Sequence, residues 1–295
     1  MDTTPPQMTS LKSPPADENL ESEGITGLIR RHPIRAFLAW FFTVGQAIAL
    51  IPVVIADLPT EPFIIASTFV GLLLPTLVIT RIVDGPDGLR ALWERALRVR
   101  VHARWFAFSV IGVPLVAVAI TTAFVGMPAS VTGSTVASAL TFGYILSLVV
   151  VFVTVNWWEE IAWMGFVQAR LQQGHGAMRS SVITGIVFAF GHITLVVGEG
   201  ATTALTLMAL LIAVSIPFRA LQAWVYNRTG SLFLVGLVHA AGNAVALGSI
   251  MGDGMLIRLY GDSSLSGLVF PILAVMGLVA IAATRGRLGQ PMKRA

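Results

Sequence analysis

Ionisable side chains stand inside apolar stretches that should exclude them. Glu159 and Glu160 end the run LSLVVVFVTVNWW. His192 sits in VITGIVFAFGHITLVV. His239 sits in LFLVGLVHAAGNAVAL, with Asn243 four residues later. A charged side chain at membrane depth costs roughly 2.5–3.5 kcal/mol on insertion scales. Such groups persist where they face one another, an ion or a wet cavity. Two carboxylates, two imidazoles and an amide, brought together, can activate a water for attack on a carbonyl.

Each residue also has a plainer reading. A His on an apolar face is more often a hydrogen-bonded core residue than a ligand. The Glu pair alone reads as a membrane–water boundary, with Trp157 and Trp158 as an aromatic anchor. The helical pattern of EEIAWMGFVQARLQQ sets Glu159, Trp163 and Phe166 near one face and brings Glu160 beside Met164. Two adjacent carboxylates resist joint ionisation, which suits one of them to general acid or base work. His239 and Asn243 share a helix face at i, i+4, where imidazole and amide can bind a metal or stabilise an oxyanion. The other three histidines, His32, His102 and His175, lie in polar stretches near arginines and read as solvated. Gly191, Gly236 and Gly242, beside the candidate residues, read as ordinary membrane-helix glycines.

The elements that must position these groups are legible from hydropathy. The chain has 295 residues, of which 55% are hydrophobic and only 12% charged, and its mean hydropathy is +0.81. A soluble domain would carry about a quarter charged residues. Runs near or above the ~20 residues needed for a helical crossing fall at 36–57, 62–83, 105–126, 134–158, 180–197, 202–224, 231–250 and 266–284. The fold class expected is an all-α polytopic bundle of about eight transmembrane helices. Its membrane domain covers 29–288, between a polar, Pro-rich, disordered tail at 1–28 and a short tail at 289–295. The first, third and fifth connections lack Lys and Arg, arginines lie in the second, fourth and sixth and near both chain ends, and only Arg258 falls on the other side. The positive-inside rule then puts both termini in the cytoplasm, in what reads as a bacterial plasma membrane. In 84–104, Leu89, Leu92, Trp93 and Leu97 recur at helical spacing among arginines, as in an amphipathic helix on the inner membrane surface. The net charge of +4 reads as topology and contact with anionic lipid, not as nucleic-acid binding. The absence of cysteine excludes disulfides, thiolate metal sites and a Cys nucleophile.

Taken in order, E-E-x-x-x-x-G-F, F-x-x-x-H and H-x-x-x-N, each in a separate apolar segment, resemble the CPBP intramembrane proteases. That family includes the type II CAAX prenyl endopeptidases and the Abi and bacteriocin-immunity proteins. The lead-in WVYNRTGSLFLVGLVHAAGN is similar too. The resemblance covers about 155–245 and implies a protease-like core at about 134–250. It implies Glu159 as the base that activates water, with Glu160 beside it and His192 assisting. It implies His239 and Asn243 as contacts of the oxyanion or of a metal. The family's chemistry has been read two ways. One holds Zn2+ on Glu159, His192 and His239; the other is glutamate-dependent and needs no metal. The implied substrate is a membrane-embedded or lipidated, CAAX-like peptide.

One position departs from the pattern. The family's first motif usually carries Arg four residues after the second Glu, and Met164 stands there. Glu160 must then be protonated or find another cation, and Arg219, in SIPFRALQAW, is the candidate. These residues admit three functions: an intramembrane endopeptidase, a non-catalytic protein of the same fold serving immunity or scaffolding, and a proton-coupled transporter. Met164 favours the second slightly. The transporter ranks last, because no inverted repeat is evident.

Overall fold

A computed structural model of the chain describes residues 24–290, apart from 57 and 130. Most of the expected tail at 1–28, and the last residues of the tail at 289–295, lie outside the described residues. Residues 24–28 are not tail but the start of helix α1 (Gly24–Arg31). The rest is a bundle of helices: α2 (Pro33–Ala56), α3 (Glu61–Val83), α4 (Gly85–Ala96), α5 (Ala103–Val125), α6 (Gly133–Gly174), α7 (Ala177–Gly191), α8 (Ala201–Thr229), α9 (Leu232–Ala246) and α10 (Met255–Tyr260). The last, α11 (Val269–Thr284), comes after a 3-10 segment that opens at Ser263. A two-stranded hairpin, β1 (Gly248–Ser249) and β2 (Gly252–Asp253), links α9 to α10.

Among the described residues, six helices are long and apolar enough to cross a membrane: α2, α3, α5, α6, α8, and α11 with its 3-10 lead-in. The other two expected spans are shorter apolar helices, α7 and α9. Fifteen residues rise only about 22 Å, less than the ~30 Å hydrocarbon core. The deficit matters little for α9. Twelve of its residues are buried, so its surroundings are other helices rather than lipid. The protein is an all-α polytopic membrane bundle, with α9 at its centre.

Three boundaries differ from the sequence expectation, each with consequences for the site. First, α6 does not stop at 158 but runs to Gly174. The Glu pair therefore lies inside a continuous helix, with Glu160 fully buried. Second, α7 ends at Gly191, which leaves His192 at its C-cap. Third, the span expected at 231–250 breaks at Ala246 and turns into the hairpin. The amphipathic segment is also placed differently. Helix α4 buries Gly88, Leu92 and Ala96; of the expected stripe only Leu92 is fully buried, Leu89 and Trp93 are half-buried, and Leu97 is exposed. Trp157 Nε1 donates to the Ala96 carbonyl at 3.2 Å. Thus α4 is clasped against α6.

Packing around α8 is close enough to fix its height. A Cβ at Gly277 of α11 would stand 1.9 Å from the Pro217 carbonyl oxygen of α8. Backbone cannot yield as a side-chain tip does, so α11 can lie there only on a glycine. Gly277→Ala is expected to lower stability by about 1–3 kcal/mol, as overpacking does. Val279→Ala, two residues away on the exposed face, should be near neutral. Thermal unfolding of the detergent-solubilised variants separates the two.

Candidate active site

The candidate residues come from four helices that meet inside the bundle. Glu159 and Glu160 sit on α6 between π-helical turns at Phe152–Asn156 and Trp163–Gln168. A π turn carries an extra residue, which rotates the succeeding turns of the helix by about 100°. The interruption lets the polar face around the pair change direction within one continuous helix. Below the pair, a polar ladder ties α6 to its neighbours. Gln168 Nε2 donates to Ser181 Oγ at 3.1 Å, and Thr184 Oγ1 donates to Gln168 Oε1 at 2.7 Å. Gln172 and Asn227 exchange amide hydrogen bonds of 3.2 and 3.1 Å. Such interhelical bonds fix one helix against the next in a medium that offers no competing water.

Helix α9 reaches the pair because Gly236 permits it. A Cβ there would lie 3.0 Å from the Trp157 Cα of α6. One turn further along α9, His239 Nδ1 meets Glu160 Oε1 at 2.8 Å and lies 3.7 Å from Glu159 Oε2. Arg219 of α8 completes the arrangement. Its Nη1 donates to Glu160 Oε1 at 2.9 Å, and its Nη2 donates to Glu160 Oε2 at 3.0 Å. Nη1 also bonds Gln222 Oε1. Both members of the bidentate pair have fully buried side chains. The cation that Met164 fails to supply is Arg219, as the departure from the motif suggested. Its guanidinium carbon also stands 4.7 Å from the Phe188 ring centroid, in the range of a cation–π contact.

The two carboxylates are thus unequal. Glu160 has both oxygens committed to Arg219 and one also to His239. Glu159 is 13% exposed and receives a long contact from Asn156 Nδ2 at 3.4 Å. Asn156 belongs to none of the three motifs; its position one turn before the pair suggests a hydrogen bond to Glu160, and the contact falls on Glu159 instead. Buried one turn before the pair, it also accepts from Asn243 Nδ2 at 3.1 Å. It therefore connects Asn243 of α9 to Glu159 of α6. Asn156→Leu, close in volume, should lower turnover about tenfold or more, since hydrogen bonds to charged groups carry roughly 1.5–3 kcal/mol. Unchanged kcat in that variant would remove Asn156 from the site.

His192 enters from the end of α7. Its Nδ1 lies 2.9 Å from the Phe188 carbonyl, and a carbonyl only accepts. Nδ1 must carry the hydrogen, so in the neutral ring Nε2 holds the lone pair. Phe188 is the common wall of the site. Its ring packs on His192 at 4.4 Å and on His239 at 6.0 Å between centroids. Trp163 closes the far side, at 5.8 Å. The Gly191 carbonyl just before His192 accepts from Gln46 Nε2 of α2 at 3.0 Å. Gln46 lies outside every motif, and no sequence signal pointed to it.

Zinc is the other expectation for this site. It would require Glu159, His192 and His239 as joint ligands. Among the described residues, no three of His, Cys, Asp and Glu stand together so as to hold a metal ion.

The family model of type II CAAX prenyl endopeptidases, Rce1-like, matches residues 139–245. No curated protein matches the chain. The matched stretch opens within α6 and closes at Val245 of α9, and it contains Glu159, Glu160, His192, Arg219, His239 and Asn243. Over that stretch, about a third of the chain, the sequence is similar to the type II CAAX prenyl endopeptidases, which supports the CPBP/CAAX protease family.

Proposed function

We propose that the protein is an intramembrane endopeptidase that hydrolyses a peptide bond in a membrane-embedded or lipidated, CAAX-like substrate. The observation that carries this reading is the division of labour between the two carboxylates. Glu160 is saturated by Arg219 and His239. Glu159 beside it keeps acceptor capacity and partial exposure. A general base needs those two properties, plus a fixed position.

In the proposed reaction Glu159 takes a proton from water as the water oxygen attacks the scissile carbonyl. His192, with Nε2 as its acceptor nitrogen, helps to orient that water. Negative charge develops on the carbonyl oxygen. Asn243 gives one of its two N–H groups to Asn156, and the second remains for the oxyanion. His239, its Nδ1–H held by Glu160, is the other contact as the imidazolium, whose Nε2–H can donate to that oxygen. Protonated Glu159 then delivers its proton to the leaving nitrogen as the C–N bond breaks. The products are a carboxylic acid and an amine, and the base is regenerated. Both chain ends, with the arginine-rich connections, lie on the cytoplasmic side, and the substrate presents its bond near that half of the bilayer.

The test requires no advance knowledge of the substrate. Membrane peptide termini are compared between host cells carrying the wild type and cells carrying Glu159→Gln at matched levels. New termini that appear only with the wild type are expected, and they would identify the cleaved chain. Identical termini, with both forms stably inserted, would defeat the protease reading in favour of a non-catalytic protein of this fold.

A further inference from the structure

His192 stands where its own helix gives it least support. Helix α7 ends at Gly191, and His192 is its C-cap. The chain continues as a 3-10 turn, Ile193–Leu195, that buries none of its residues. The last carbonyls of a helix have no partner within it. At this end of α7 the Phe188 carbonyl takes the His192 ring N–H, and the Gly191 carbonyl takes Gln46 Nε2 of α2 at 3.0 Å. The second bond spans 145 positions of sequence and ties the first membrane helix to the residue before His192.

The local structure of α2 explains how it reaches that carbonyl. Phe41–Gly45 is a π-helical turn, in which the Gln46 N–H bonds the Phe41 carbonyl five residues back. Residues five apart roughly share a face in a π turn, whereas on an α-helix they lie about 140° apart. Phe41 and Gln46 therefore meet Gly191 together. A Cβ at Gly191 would stand 3.1 Å from Phe41 Cε1, so the ring closes on the glycine while the amide holds its carbonyl. Phe41 is itself set edge-on to Trp163, at 5.2 Å between centroids. Beside this tie α2 and α7 part. An apolar cavity of about 380 Å3 opens between them, lined by Phe42, Gln46, Leu50, Val187, Phe190 and Ile193. Among those residues only Gln46 has a polar side chain, so no other lining side chain can take the Gly191 carbonyl in its place.

We propose that Gln46 is a positioning residue for His192. By holding the Gly191 carbonyl it fixes the last turn of α7. With that turn it fixes the Nδ1–H bond to Phe188, which leaves Nε2 as the acceptor nitrogen. Gln46 bonds backbone beside the imidazole and acts on the reaction only through His192. The proposal rests on the water-orienting role of His192.

The experiment records 15N spectra of the full-length protein in detergent, with ring-labelled histidine, in the alkaline range where a free imidazole is neutral. The His192 signals are those lost in His192→Gln. Two variants withdraw the donor: Gln46→Met, similar in length, and Gln46→Asn, which keeps an amide one carbon short of Gly191. Wild-type His192 is expected as the Nδ1–H form alone, and both variants as a mixture of the two neutral forms. Leu50→Ala, an apolar residue on the same cavity wall, is expected to keep the wild-type spectrum and controls for loosened packing. On the substrate that the membrane-termini comparison identifies, the Gln46 variants should lose about tenfold or more in kcat with KM little changed, because small misplacements at a reacting centre are costly. The spectrum itself needs no substrate. A wild-type ring in the Nε2–H form would overturn the water-orienting reading and this proposal with it. A wild-type spectrum in folded Gln46→Met or Gln46→Asn, or full kcat in either, would overturn the proposal alone.

Discussion

Glu159→Gln and Glu160→Gln are expected to fail for different reasons. Glu159→Gln removes the proposed base and should cut turnover about 10²–10⁴-fold, the range of general acid–base catalysis. Its stability should stay within about 1 kcal/mol of wild type, because Glu159 is only loosely held and partly exposed. Glu160→Gln should be damaged first in folding, since it strands the buried Arg219 without its counter-charge. Purified protein gives both numbers for each variant, from turnover on the substrate that the membrane-termini comparison identifies and from unfolding in detergent. A Glu159→Gln protein with full activity would end the assignment of base. A Glu160→Gln protein as stable as wild type would show that the ion pair contributes little.

Arg219→Leu should be the most destabilising single change in the core. Breaking a buried ion pair from one side typically costs about 3–5 kcal/mol, because the remaining charge is uncompensated. The double variant Glu160→Gln/Arg219→Leu should lose clearly less than the sum of its singles, and that non-additivity is the signature of direct contact. The departure at position 164 supplies a sharper form of the test. Met164 is fully buried on the same helix as Glu160, one turn further on. Adding Met164→Arg to Arg219→Leu should restore part of the lost stability by returning the cation to i, i+4. No recovery, together with strict additivity in the cycle, would mean that Arg219 is not the partner of Glu160 in solution.

What could be read from the chain depended on the kind of signal each residue carried. Charges and imidazoles in apolar surroundings announce themselves, so Glu159, Glu160, His192, His239 and Asn243 were visible, and Arg219 became visible through what Met164 lacked. Helix ends were harder. Hydropathy runs unbroken through VITGIVFAFGHITLVV, so the end of α7 at Gly191 leaves no trace in it. The tryptophans before the Glu pair resemble an interface belt, yet Trp157 gives its N–H to α4 and the helix continues. The buried stripe of α4 is masked because two of its three positions are Gly88 and Ala96, too small to register as a hydrophobic period. Asn156 and Gln46 are neutral amides whose importance lies wholly in what stands opposite them, on elements far away in sequence.

The placement of the counter-charge on α8 has a bearing on biogenesis. A cation at i, i+4 would enter the bilayer already neutralised within its own helix. Here Glu160 and Arg219 are delivered by different segments, separated by α7, and each must be inserted before the other can relieve it. Until they meet, each helix bears an insertion penalty of roughly 2.5–3.5 kcal/mol. Docking of α8 onto α6 is thereby a proofreading step. A chain that inserts its segments but fails to bring these two together retains a bare charge in lipid, whereas correct docking assembles the candidate site and discharges both penalties at once.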